Sequence, residues 1–112
     1  MISDKLYIYV LVRKDIPIEQ QLVQACHASC VAGESFGKSN SSMVLLGVEN
    51  LDQLLGISEE FRNLRVPFEM FFEPDWDMGY SALATKAVKG AERARIRKML
   101  DRCGIRLWKR PS

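Results

Sequence analysis

The sequence predicts an α/β fold in three layers, α/β/α, around a four-stranded mixed sheet with one antiparallel strand. Three observations carry this. Residues 6–12 (LYIYVLV) and 43–48 (MVLLGV) are short and almost wholly apolar, the pattern of strands covered on both faces. Each leads into a helix, as parallel βαβ units do. Two further strand-like runs, 68–72 and 80–85, are separated by only a short loop. A parallel crossover needs a dozen residues or more, so these two must pair antiparallel.

The elements follow in order. After the first strand, Asp15-Ile16-Pro17 starts a helix, with proline preset for the first turn and Glu19 suited to the dipole. That helix is expected to run to about Ala32, with Gly33 as its C-cap. Residues 34–42 form a polar loop rich in Gly and Ser. After the second strand, Asn50 caps a second helix and Gln53 completes a capping box. Leu51, Leu54, Leu55, Phe61 and Leu64 supply its buried stripe, while Gly56 weakens its middle and marks a place for a break. The third strand follows Val66-Pro67. Residues 73–79 are a loop, and the fourth strand begins at Tyr80. A last helix spans 91–103, with Ile96, Met99, Leu100 and Cys103 inward and Gly104 ending it.

At 112 residues the chain forms one domain with its own core. No apolar run reaches membrane-spanning length, and Met1-Ile2-Ser3-Asp4 lacks the pattern of a signal peptide. Three cysteines without metal-type spacing point to reduced thiols and a cytoplasmic protein. Net charge is only +2, yet it is unevenly placed. Residues 1–85 hold six Lys/Arg and twelve Asp/Glu; residues 86–112 hold ten and two. A basic terminal quarter is either a solvated helix face or a surface for phosphate.

On the first helix, Leu22, Cys26, Ser29, Cys30 and Gly33 share one side, bordered by Val23, and are expected to form the packing face. Cys26 and Cys30 there are small buried thiols. Gln20, Gln24 and His27 recur at four- and three-residue steps on a different face. Two amides and an imidazole in one stripe either meet solvent or hydrogen-bond a polar ligand. An imidazole titrates near neutrality, so His27 suits a general base or a phosphate donor. Glu73, Asp75 and Asp77 crowd one loop. Crowded carboxylates hold protons more tightly, which suits acid–base work, although Asp and Gly also serve turns. Ser81 and Thr85 follow on the fourth strand, where hydroxyls can orient a water. Trp76 is either a base-stacking residue or a loop anchor. One histidine and scattered cysteines do not make a metal set. Neither phosphate-cradling glycine motif follows the first strand, which disfavours nucleotide cofactors of those kinds.

The runs YVLVRKD (residues 9–15) and QACHA (24–28) resemble the archaeal/eukaryotic-type peptidyl-tRNA hydrolase family, the second type of that enzyme. That family has a strand ending Val-Arg-x-Asp and then a helix carrying Ala-Gln-x-x-His-Ala. Glu73-Pro74-Asp75 through Ser81-Ala82-Leu83-Ala84-Thr85 looks like a shortened form of its aspartate loop and following strand. Gln24 and His27 match the helix motif directly. Asp75 is the counterpart of the loop aspartate, with Asp77 as the alternative, and Ser81 stands where the family has a threonine. The family's helix lysine is Gln20 here, preceded by Glu19 in place of a glycine. That substitution removes a cation suited to phosphate or developing negative charge; Lys14 lies nearby in sequence.

The resemblance implies hydrolysis of the ester between a peptide and the tRNA 3′ ribose, without metal or cofactor. Asp75 and Ser81 would orient the water; Gln24 and His27 would hold the ribose or polarise the ester. Lys14, Gln20 and the basic stretch Arg93, Arg95, Arg97 and Lys98 would meet tRNA. The alternative is a weakly active or inactive RNA-binding or interaction module on the same fold. A homodimer is compatible with either.

Overall fold

The computed structural model describes residues 5–110. The expectation drawn from Met1-Ile2-Ser3-Asp4 lies outside the described residues. The chain runs β1 (Tyr7–Arg13), α1 (Ile18–Phe36), β2 (Ser42–Val48), α2 (Leu51–Asn63), β3 (Phe68–Glu73), β4 (Gly79–Thr85), α3 (Gly90–Arg102) and β5 (Arg106–Leu107). A 3₁₀ turn, Asp75–Asp77, joins β3 to β4.

The sheet order is β3-β4-β1-β2-β5. β1 and β2 are parallel. β4 is antiparallel to both β1 and β3, as the short β3–β4 connection requires. The α/β class and the mixed sheet stand; the strand count is corrected from four to five, and the antiparallel strands from one to two, β4 and β5. β5 is the addition: two residues pair antiparallel with Leu46 and Gly47 of β2. A two-residue strand carries no alternation to read, so only its partner defines it.

Two apolar clusters cover the sheet. On one face, Tyr9, Leu11, Leu46, Val48 and Leu83 pack with Leu54, Ile57 and Phe61 of α2 and Ile96, Met99 and Leu100 of α3. On the other, Val10, Val12, Ala82 and Ala84 pack with Ala25, Ala28 and Ala32 of α1. The strands thus alternate between two cores, which is why they read as continuous apolar runs. Among the described residues no helix is long and apolar enough to cross a membrane.

Several local expectations change. α1 passes Gly33 and stops at Gly37, whose φ of 88° is the left-handed one and whose N–H bonds back to Gly33 O at 3.0 Å; of two glycines, the one that needs positive φ ends the helix. α2 is unbroken at Gly56. Asn50 caps it through Gln53 N at 2.9 Å, while the Gln53 side chain accepts from Glu49 N at 2.6 Å. Its buried stripe is Leu54, Ile57, Ser58 and Phe61, and Leu55 is exposed.

The packing face of α1 is also corrected. Gln21, Gln24, Ala25, Ala28 and Ala32 are buried, whereas Leu22, Val23, Cys26 and Cys30 are exposed. Apolar residues surround this helix, so periodicity alone does not choose a side. The alanines win because they oppose Ala82 and Ala84, and small residues on both surfaces let helix and sheet approach closely.

Candidate functional site

β1, β2 and β3 run the same way, and their carboxyl ends meet the start of α1 and the 3₁₀ turn. Open α/β sheets place ligand crevices at this edge. Arg13, the last residue of β1, fastens it. Its guanidinium donates to both Asp15 carboxylate oxygens at 2.9 Å and to the carbonyls of Met78 at 2.8 Å and Tyr80 at 3.0 Å. In the turn that Arg13 holds, Trp76 and Asp77 have φ of 56° and 53°, a conformation disfavoured for a bulky side chain. Trp76 is 71% exposed.

Gln24 is the centre of a buried polar chain. Ser81 Oγ donates to Gln24 Oε1 at 2.6 Å, and Gln24 Nε2 donates to Glu73 Oε1 at 2.9 Å and more weakly to Gln20 Oε1 at 3.3 Å. An ionised carboxylate only accepts, so the amide nitrogen must face Glu73 and the amide oxygen must face Ser81. Both Gln24 and Ser81 are 0% exposed. Buried polar atoms need partners, and here each supplies the other's.

A β-bulge makes this contact. Phe71 pairs with Ala82 and Phe72 with Tyr80, leaving Ser81 as the extra residue. Strict alternation would point Ser81 to the side of Leu83, under α2. The bulge turns it to the α1 side instead. Phe71 and Glu73, two residues apart on β3, meet α1 at successive rungs. Phe71 stacks on the exposed His27 ring at 4.5 Å, 8° from parallel, and Glu73 meets Gln24.

The expected residues therefore divide. Gln24, His27, Ser81 and Gln20 gather here, but Gln24 and Ser81 bond each other inside the protein. Asp75 and Asp77 are exposed, and among the described residues neither makes a side-chain hydrogen bond to Ser81 or Gln24. The carboxylate that α1 meets is Glu73. It was visible in the acidic loop, and its two-residue spacing from Phe71 was the signal for its face. Gln21 gave no such signal. It is buried, donates to Ile16 O at 2.8 Å and accepts from Trp108 Nε1 at 2.7 Å. Lys14 pairs with Glu49 at 3.0 Å.

The basic residues of α3 lie across the sheet, on the face of the larger core. Arg93 sits over the Tyr7 ring at 3.6 Å and donates through Nε to Tyr9 Oη at 3.2 Å. The bond to Tyr9 raises the Arg93 pKa above its ordinary value, against a smaller desolvation effect. Arg93 and Arg97 line a cleft of about 510 Å³ between α3, β2 and β5, joined by Arg106 and Lys109. Arg95 and Lys98 are exposed and do not line it. Among the described residues no group of three His, Cys, Asp or Glu is placed to hold a metal ion.

No protein-family profile and no curated protein matches the chain. A solved structure does: a protein of unknown function, Atu0240, from Agrobacterium tumefaciens strain C58. It superposes with a TM-score of 0.68 at 13% identity, over 96% of this chain and 100% of that one. At that identity the likeness establishes a shared fold.

Proposed function

We propose that the carboxyl edge hydrolyses an ester of the peptidyl-tRNA class. The observation that supports this reading is the Glu73 carboxylate, held through one oxygen by Gln24 at 2.9 Å, on the rung next to an exposed imidazole. The second Glu73 oxygen is the general base. It takes a proton from water as the hydroxide adds to the ester carbonyl carbon; the ribose oxygen leaves and is reprotonated. His27, lying flat on Phe71, polarises the ester or holds the ribose. Gln24 and Ser81 position Glu73 and do not touch substrate. Asp75 and Lys14 belong to the rim.

Gln20, where a lysine was expected, favours the second reading: a non-catalytic RNA-binding module. Arg93, Arg95, Arg97 and Lys98 of α3, which among the described residues are in no ion pair, favour it too.

Deacylation of an N-blocked aminoacyl-tRNA separates the two. Turnover by the wild type, with kcat/KM lowered about 10²–10⁴-fold in Glu73→Gln and far less in Asp75→Ala, supports hydrolysis at this site. Salt-sensitive tRNA binding without turnover at high protein concentration supports the module. Turnover unchanged in both Glu73→Gln and His27→Ala overturns the site.

A further inference from the structure

The cleft beside α3 has the features of a small-molecule site, and it is separated from the carboxyl edge by the sheet. Its volume of about 510 Å³ falls within the range of ligand pockets. Leu46, Leu100 and Leu107 give it an apolar floor. Four cations line it, Arg93, Arg97, Arg106 and Lys109, against the single carboxylate of Asp101. Among the described residues none of these five side chains is in an ion pair. The ion pairs that α3 does make lie outside the cleft: Arg102 binds Glu60, and Glu92 binds Lys86.

Two groups are arranged in advance. Arg93 is fixed by the Tyr7 ring and by the bond from its Nε to Tyr9 Oη, with a weaker polar interaction to Tyr7, and its guanidinium carries further N–H donors. Tyr9 is 2% exposed, and its hydroxyl accepts from Arg93. Among the described residues no acceptor takes the Tyr9 proton. A buried phenol normally finds one, and an anion in the cleft would supply it.

We propose that this cleft binds a phosphate monoester whose body is apolar or planar and about the size of a mononucleotide. The phosphate lies against Arg93, Arg97 and the Tyr9 hydroxyl. A dianion with three terminal oxygens matches this donor set better than a carboxylate with two, and guanidinium groups suit phosphate bidentately. The body lies on the leucine floor. A free nucleotide and the terminal phosphate of an RNA share this chemistry. The site does not depend on ester hydrolysis at the carboxyl edge.

Calorimetric titration of the whole chain with adenosine 5′-monophosphate, adenosine and inorganic phosphate tests it. A short RNA with and without a 5′-phosphate distinguishes the two sources. Binding of the monophosphate at least about tenfold tighter than adenosine is expected. Arg97→Met is expected to weaken it by a similar factor, while Arg95→Met and Lys98→Met stay within about twofold. Arg93→Met is expected to act likewise, and Arg97→Met keeps the test open should loss of the Tyr7 contact disturb folding. Tight binding only of the 5′-phosphorylated RNA assigns the site to an RNA end and supports the proposal. Equal binding of monophosphate and adenosine overturns it. So does an equal loss in Arg95→Met and Arg97→Met, because charge alone would then explain binding. Failure of every probe also overturns it and leaves hydrolysis at Glu73 untouched.

Discussion

On the α1 face of the sheet, polar side chains turn inward and bond one another. Ser81, Gln24 and Glu73 form one chain, and Gln21 joins Trp108 to the backbone before α1. On the α3 face, the Arg93 guanidinium leans on Tyr7 and bonds Tyr9, and among the described residues neither it nor Arg97 is in an ion pair with a carboxylate. The first arrangement fixes geometry, at the cost of leaving few donors for a ligand. The second leaves donors available but contributes little to stability. Residue type does not distinguish them, since glutamine and arginine are both polar. What differs is whether the protein itself provides the partner.

The comparison breaks most visibly at Gln24. Gln24→Leu leaves the Ser81 hydroxyl and the Glu73 carboxylate without their partner, so we expect a loss of about 2–4 kcal/mol in urea unfolding. A loss below about 0.5 kcal/mol would place Gln24 among the ligand-facing residues instead. Ser81→Ala removes one donor and strands the Gln24 amide oxygen, with an expected cost of about 1–3 kcal/mol. Asp75→Ala, at the exposed start of the 3₁₀ turn, should stay within about 0.5 kcal/mol by the same measurement.

On the other face, Arg97→Met should leave stability within about 0.5 kcal/mol. It should lower the slope of log K against log salt for polyanion binding by about one. A stability loss matching that of Ser81→Ala would erase the contrast between the faces. The smallest effect concerns the corrected side of α1. Cys26→Ser should change stability by less than about 0.5 kcal/mol. In the native protein Cys26 should react with a thiol reagent about as fast as in the unfolded chain; strong native protection would return it to the core.

The elements themselves were legible in the residues. Two apolar runs that alternate between two cores, a short loop forcing antiparallel pairing, and Ile96, Met99 and Leu100 at helical spacing each follow from local rules. Asn50 as a cap was equally local. The candidate site was legible only in part. Gln24, His27 and the acidic loop stood out, but of the loop's three carboxylates the resemblance pointed to Asp75, whereas the spacing from Phe71 pointed to Glu73.

The sequence by itself determined the α/β class, the order of helices and strands, the antiparallel β3–β4 pair and the basic terminal quarter. These depend on short-range pattern, chain reach and charge count. The tertiary structure decided the side of α1 that is buried, because several sides of that helix are apolar and only the alanines of β4 select one. It decided the face of Ser81, because a one-residue bulge reverses the alternation that the sequence implies. It decided that Glu73, and not Asp75, meets Gln24. It also decided β5, whose two residues form a strand only because Leu46 and Gly47 are there to pair with them.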